Sequence, residues 1–328
     1  MISKALAVLL ALVAMGGTSL ASVAQSAPVA ADAVQQDLAF AALLQRARAG
    51  DASAYVDLAL VYLDDARPGR DVEAAVRWLM AGVAAGDAQA MVEMGNLYFD
   101  GEAVAEDRRK ALGFYQRAAD LGNLDGLYNV GVIHEGGGGV APNLGEALRW
   151  YRRAADGGSE LGAAQVANAY QQGRGVRIDL ARAVFWLRKA IALGSVSAMN
   201  DLGTLYSHGD GVPKDDAEAL MLFTAAARNG SAIAMANVAV VHRNGEGVLV
   251  DYVEAIRWYQ RAADHGYLLA YYRLGVMCEA GEGVRFDRTL ALDLYRRAAQ
   301  SDDPAVRQKA LTAIDRLENG GEDDPRAA

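Results

Sequence analysis

The sequence has one cysteine, six prolines and no uninterrupted apolar run of about 20 residues, and each scarcity removes a class of protein. A lone Cys278 cannot close an intramolecular disulfide, so an oxidising compartment would not staple this fold. Without a long apolar run, a membrane-spanning helix has no sequence to form it. Positive charge is also short: 32 Lys and Arg stand against 41 Asp and Glu, for a net charge of -9 and a sequence pI near 5.0. That balance argues against a nucleic-acid surface, which needs clustered cations. What is abundant is glycine, 35 of 328 residues, together with alanine at roughly a fifth of the chain. Much glycine with little proline and no collagen period points to many helices built on small residues and ended by glycines.

The amino terminus has the three parts of an export signal: Lys4, an apolar run from Ala5 to Met15, and small residues after Gly16. The run is too short to cross a bilayer. Residues 1–24 read as a cleavable signal peptide cut after Ala24, with Ser22 and Ala24 as the small side chains of the site and with Ala21 and then Ala27 as the alternative cleavage points, and residues 25–36 as a linker. No cysteine follows the run to carry a lipid.

Internal repetition decides the rest. Gly50, Gly86, Gly122, Gly158, Gly194, Gly230 and Gly266 recur every 36 residues without slippage. Counted from each glycine, position nine is always Gly or Ala, position twelve is Tyr, His or Cys, and position twenty-five is Ala. Each unit reads as two amphipathic helices. In the first, Met94, Leu97 and Tyr98 make a stripe; in the second, Ala255, Trp258, Tyr259, Ala262 and Ala263 lie along one face. Asp71, Asp107, Asn143, Asp179, Asp215, Asp251 and Asp287 stand where a side-chain oxygen caps the second helix. Asp51, Asp87, Asn123, Ser159, Ser195 and Ser231 do so for the first, and Tyr267 breaks the pattern. Between the helices lie Gly-x-Gly-Val turns such as Gly209-Asp210-Gly211-Val212. With no preceding strand and no Lys-Ser/Thr after them, these are turns with the valine tucked inward, not phosphate loops.

The run Leu202-Gly203-Thr204-Leu205-Tyr206, the turn at 209–212, Asp215 and Ala219 closely resemble a Sel1-like repeat, a relative of the tetratricopeptide repeat. Trp258 to Gly266 is similar to that repeat's second helix. The resemblance implies an all-α fold, a right-handed α/α superhelical solenoid. Seven repeats starting at 50, 86, 122, 158, 194, 230 and 266 fill residues 50–302. A capping helix at 37–49, with Arg46 in a slot otherwise small, a second at 303–317 and a disordered acidic tail at 318–328 complete the chain.

The residues that could carry chemistry mostly fall into repeat slots. His134, His242 and Cys278 occupy the position-twelve slot and read as packing residues; His208 and His265 lie at unrelated helix ends. No spacing of His, Cys and acids suits a metal, and no nucleophile motif occurs, so no cofactor, no metal and no enzyme activity are expected. Relatives discussed as binding or hydrolysing β-lactams carry a disulfide in each repeat, which this chain lacks, so an enzyme acting on β-lactam or cell-wall substrates is only the lesser alternative. The arginines at Arg152-Arg153, Arg188-Lys189 and Arg296-Arg297 read as a solvated outer face, with a polysaccharide or cell-wall ligand as the alternative.

If the tetratricopeptide geometry carries over, positions three, six, ten, thirteen and fourteen line a concave groove. They include Asn96, Phe99, Tyr128, Glu135, Asn168, Gln171, Asn200, His208, Arg243, Tyr272 and Glu279. Amides there can bracket a peptide backbone, and rings can hold apolar side chains. The expectation is a non-catalytic scaffold or adaptor in the periplasm or secreted. It would bind a protein or peptide of the envelope, act as a monomer or weak oligomer, and serve envelope signalling or exopolysaccharide control.

Overall fold

The computed structural model describes residues 38–319, apart from 67, 68, 102 and 138. The segments read above as a signal peptide (1–24) and a linker (25–36), residue 37 and residues 320–328 lie outside the described residues. Among the described residues there are sixteen helices and no strand. They divide into two compact units, one ending at residue 121 and the other beginning at residue 122. The first contains α1 (38–48), α2 (Ser53–Leu63), α3 (Val72–Ala84), α4 (Ala88–Asp100) and α5 (Arg108–Asp120). The second contains α6 (Leu124–Gly136), α7 (Leu144–Asp156), α8 (Glu160–Gln172), α9 (Leu180–Ala192), α10 (Val196–His208) and α11 (Asp216–Arg228). It continues through α12 (Ala232–Asn244), α13 (Tyr252–Asp264), α14 (Leu269–Ala280), α15 (Arg288–Ala298) and α16 (Pro304–Asn319). The all-α class and the helix-turn-helix repeat are therefore as the sequence predicts.

The caps explain where the helices begin. All seven predicted second-helix caps accept the amide three residues on, as in Ala74 N–H to Asp71 at 2.8 Å and Leu290 N–H to Asp287 at 2.9 Å. In six repeats the cap residue's own N–H reaches back to the position-twelve carbonyl, from Asp71 to Tyr62 at 2.9 Å through Asp251 to His242 at 2.8 Å. In the seventh, the Cys278 thiol donates to the Asp287 carbonyl at 3.3 Å. One residue thus starts the second helix and fastens it to the first, satisfying groups that would otherwise be orphaned.

Five of the six predicted first-helix caps behave likewise: Asp87, Asn123, Ser159, Ser195 and Ser231. Asp51 does not. Its carboxylate takes the Ser53 amide and hydroxyl and the Arg46 guanidinium at 2.8 Å, and α2 opens after Ala52 with no side-chain cap. Arg46, the odd residue of the N-terminal helix, has claimed it. At the Tyr267 exception, α14 likewise opens without a side-chain cap.

Glycine has two separate jobs. The seven repeat glycines all have φ between +81° and +106°, and a Cβ added at Gly86 would meet nothing, so backbone conformation alone requires them. Position nine is a matter of space. A Cβ on Gly131 would lie 2.6 Å from the Tyr151 ring, one on Gly203 2.8 Å from Phe223, and one on Gly275 2.6 Å from Tyr295. Where position nine is alanine, at Ala59 and Ala167, the facing residue is Leu79 or Leu187, smaller than a ring. Ala239 opposite Tyr259 is the exception.

Contacts between repeats sit elsewhere. A Cβ on Gly211 would lie 2.6 Å from Leu180 Cβ, so the loop of one repeat rests on the first turn of the preceding repeat's second helix. Gly247 on Asp216 and Gly283 on Tyr252 repeat the contact. Val176, Val212 and Val248 tuck inward as expected, but Val284 is exposed.

Terminal helices cover the ends. α1 packs Phe40, Leu43, Leu44 and buried Ala47 against Leu58, Tyr62 and Trp78. α16 buries Val306, Ala310 and Ala313 and runs to Asn319, two residues past the predicted end at 317. Glu318, assigned above to the tail, is helical and pairs with Arg296 at 2.7 Å.

Candidate functional site

The candidate groove residues lie on the first helices, and their surroundings divide them sharply. In the second unit, position thirteen is largely committed to holding neighbouring elements together. Glu135 accepts the Tyr151 hydroxyl at 2.6 Å and forms an ion pair with Arg174, in the loop of the next repeat. Arg243 makes a two-point ion pair with Glu282, at 2.6 and 3.1 Å, in the corresponding loop of its next repeat. Glu279 accepts the Tyr295 hydroxyl at 2.8 Å and the Arg316 guanidinium of α16 at 2.6 Å. All three side chains are at most a quarter exposed: 19% for Glu135, 24% for Arg243 and 17% for Glu279. Their partners are supplied from within the chain, so these residues act as clasps. Asn200 is likewise joined to Asn237 of the next repeat at 2.7 Å.

The tyrosines under these clasps are buried, and burial pushes the hydroxyl pKa of Tyr151 and Tyr295 well above the ordinary tyrosine value. For Tyr295 the carboxylate of Glu279 adds to the effect. These hydroxyls therefore stay protonated and donate.

Asn168 lies beside Arg174, 3.4 Å away, and with Glu135 and Tyr151 it encloses a cavity of about 10 Å³, room for no more than one water molecule. That seam is closed to a ligand. His208 is exposed, with Nδ1 2.9 Å from the Thr204 carbonyl. Gln171 and Tyr128 are half-buried, and the Tyr128 ring packs on Tyr151 at 5.4 Å. In the first unit, Asn96 accepts the Tyr115 hydroxyl at 2.9 Å, and Phe99 lies under Arg108, 5.0 Å from the ring centre.

Tyr272 is placed differently. It packs against Tyr295 at 5.6 Å and also forms one wall of an open cleft of about 440 Å³. The other wall is α16, with Ala305, Gln308, Lys309, Thr312 and Arg316. The cleft combines an aromatic floor, two cations and two neutral hydrogen-bonding side chains. The α16 residues were not predicted as site residues, because nothing in the repeat places a terminal helix beside position six.

The remaining chemistry is quiet. Cys278 is buried, and burial raises its thiol pKa, which keeps it a poor nucleophile. His134 and His242 are half-buried in the position-twelve slot. Among the described residues, no group of three or more His, Cys, Asp or Glu could hold a metal, and no helix is long and apolar enough to cross a membrane. On the second helices, cations lie over half-exposed rings: Arg153 on Trp150 at 4.2 Å, Lys189 on Trp186 at 4.7 Å and Arg261 on Trp258 at 4.6 Å. These rings already have a cation on one face, which leaves less of them for a sugar.

The chain is similar to solved structures of the same architecture. One is a protective antigen of uropathogenic Escherichia coli displaying an SLR fold, with 28% identity and a TM-score of 0.70 over 86% of this chain and 64% of that one. This chain thus spans slightly less than two thirds of that antigen. A Sel1 repeat protein from Oxalobacter formigenes aligns with 26% identity and a TM-score of 0.65, over 74% of this chain and 97% of that one. No curated protein matches the chain by sequence. The Sel1 repeat profile matches seven times, at residues 52–87, 88–123, 124–159, 161–195, 196–231, 232–267 and 268–303, each opening two or three residues past a counted glycine. With fold, periodicity and profile in agreement, the chain belongs to the Sel1 repeat family.

Proposed function

We propose that this protein is a non-catalytic scaffold that binds a partner protein through an extended segment laid in the cleft between α14 and α16. Sel1 repeat proteins generally serve as protein-interaction scaffolds and are generally non-catalytic, which supports this class of function. The observation that carries the reading is the cleft itself. Tyr272 offers a ring for an apolar side chain, Gln308 and Thr312 offer hydrogen bonds to a backbone, and exposed Lys309 favours an acidic segment, while Arg316 is held by Glu279. Elsewhere on the second unit's first helices, Tyr128, Gln171 and His208 would extend the contact, while Glu135, Arg243 and Glu279 hold the surface in shape.

The same proposal places the protein in the cell envelope, exported by cleavage after Ala24, with a role in envelope signalling or exopolysaccharide control. Sequencing the mature amino terminus from a fractionated cell tests export directly. The binding reading is tested by co-purification from the envelope fraction with wild type and with Lys309→Glu and Gln308→Ala. Both residues are exposed on α16, so neither change should disturb the fold. Loss of a specific partner with Lys309→Glu supports the cleft; undiminished recovery with both variants moves the site elsewhere.

A further inference from the structure

Arg152 of α7 and Arg182 of α9 come from adjacent repeats and converge on one buried residue, Tyr170 of α8. Both guanidiniums donate to the Tyr170 hydroxyl, Arg182 at 3.4 Å, and their central carbons lie 5.5 and 5.6 Å from its ring centre. Two cations thus share one neutral oxygen. Asp179 neutralises Arg182 at 3.2 Å, but among the described residues no carboxylate pairs with Arg152, whose Nε–H lies buried without an acceptor. The acids of α7 itself pair with other cations, Glu146 with Arg149 at 2.6 Å and Asp156 with Lys189 at 2.8 Å. An unsatisfied guanidinium donor next to a second cation is costly unless an anion joins them.

We propose that Arg152, Arg182 and Tyr170 form a binding site for a tetrahedral oxyanion, a phosphate or sulfate group. The geometry favours a tetrahedral over a planar anion. Two guanidinium forks approach from different helices, and with both Tyr170 lone pairs occupied its O–H proton is left to point at a third direction. The Arg182 side chain is 64% exposed, which gives the group a way in. Because the two arginines belong to successive repeats, the bound anion would tie α7 to α9 across α8. The site is separate from the α14–α16 cleft, so it stands whether or not the proposed partner binds there.

The test uses the full mature chain and inorganic phosphate, with chloride at equal ionic strength as the reference, read by thermal midpoint and isothermal titration. Glucose 6-phosphate is the second probe, to separate free phosphate from a phosphoryl group on a larger molecule. The expected result is a saturable rise in the midpoint with phosphate but not chloride, and affinity at least about tenfold weaker in Arg182→Gln and Arg152→Gln. Arg188→Gln, which removes a nearby cation bonded instead to Tyr206 at 2.8 Å, should change affinity less than about twofold. If Arg152→Gln fails to fold, exposed Arg182→Gln still carries the test. Tighter binding of the ester than of phosphate identifies a phosphorylated molecule as the ligand, and the reverse identifies the free ion. Absence of saturable binding, or equal loss in Arg188→Gln and Arg182→Gln, overturns the site.

Discussion

Replacing Gly95 by alanine asks whether position nine is small for reasons of space. Gly95 lies inside α4, where alanine is the better helix former by about 0.8–1 kcal/mol, so propensity alone predicts a more stable protein. The new Cβ, however, would sit 2.6 Å from Cδ1 and 2.9 Å from Cζ of Tyr115. That ring is 3% exposed, and its hydroxyl is held by Asn96 at 2.9 Å, so it cannot swing away without losing a buried hydrogen bond. Overpacking of this kind costs about 1–3 kcal/mol and exposing an unpaired hydroxyl about 1 more; set against the propensity gain, the net change should be a loss of about 1–3 kcal/mol. Gly113→Ala in the adjacent α5 is the control, since its Cβ would meet nothing within 4 Å and it should gain about 0.5–1 kcal/mol. Urea denaturation followed by far-ultraviolet circular dichroism gives both midpoints. If Gly95→Ala matches or exceeds wild type, the close-approach argument is wrong. Ala239 facing Tyr259 marks the tolerant end of the range, because there the chain has accommodated the same pair.

Reversing Arg243→Glu should cost about 1–3 kcal/mol by placing two carboxylates together, and adding Glu282→Arg should recover most of it, as a double-mutant cycle would show. Asp71→Ala should cost about 1 kcal/mol by orphaning the Ala74 amide, read as a lower urea midpoint. The Asp51 and Asp107 carboxyls are held below the ordinary value, Asp51 chiefly by the Ser53 hydroxyl and Asp107 by the Lys110 amide. Their contribution to stability is therefore fully present above the unfolded pKa of about 4 and lost as pH falls through the folded value, so Asp51→Asn and Asp107→Asn should flatten an acid melt. The raised hydroxyls of Tyr115, Tyr151 and Tyr295 have the opposite sign: their contribution is intact below about pH 10 and lost on further rise. Their tyrosinate absorbance should appear together with loss of the helical signal.

Local structure was legible because each signal lies within one repeat. The seven caps from Asp71 to Asp287 and the boundary glycines each act within a few residues of themselves. Position nine reads as small because the helices approach closely there, with Tyr115 filling the space beside Gly95; only how tight that contact is shows in three dimensions. The clasps were not legible for a stronger reason. Glu135–Arg174 and Arg243–Glu282 join equivalent positions 39 residues apart but with reversed polarity, so a column read down the repeats shows variation where the pairs show complementarity. Variation at position thirteen therefore suggested a binding surface and turned out to include the seams between repeats. The α14–α16 cleft and the Arg152–Tyr170–Arg182 cluster were missed because each needs an element outside the repeat that supplies its other half.

Site-specific photocrosslinking in intact cells tests the central claim most directly. A crosslinking residue is placed at Gln308 or Lys309 in the cleft, and at exposed Arg149 on α7 as the reference. The account predicts one dominant adduct of defined mass from the two cleft positions and none from position 149. No adduct from the cleft, or the same adduct from all three positions, would contradict it.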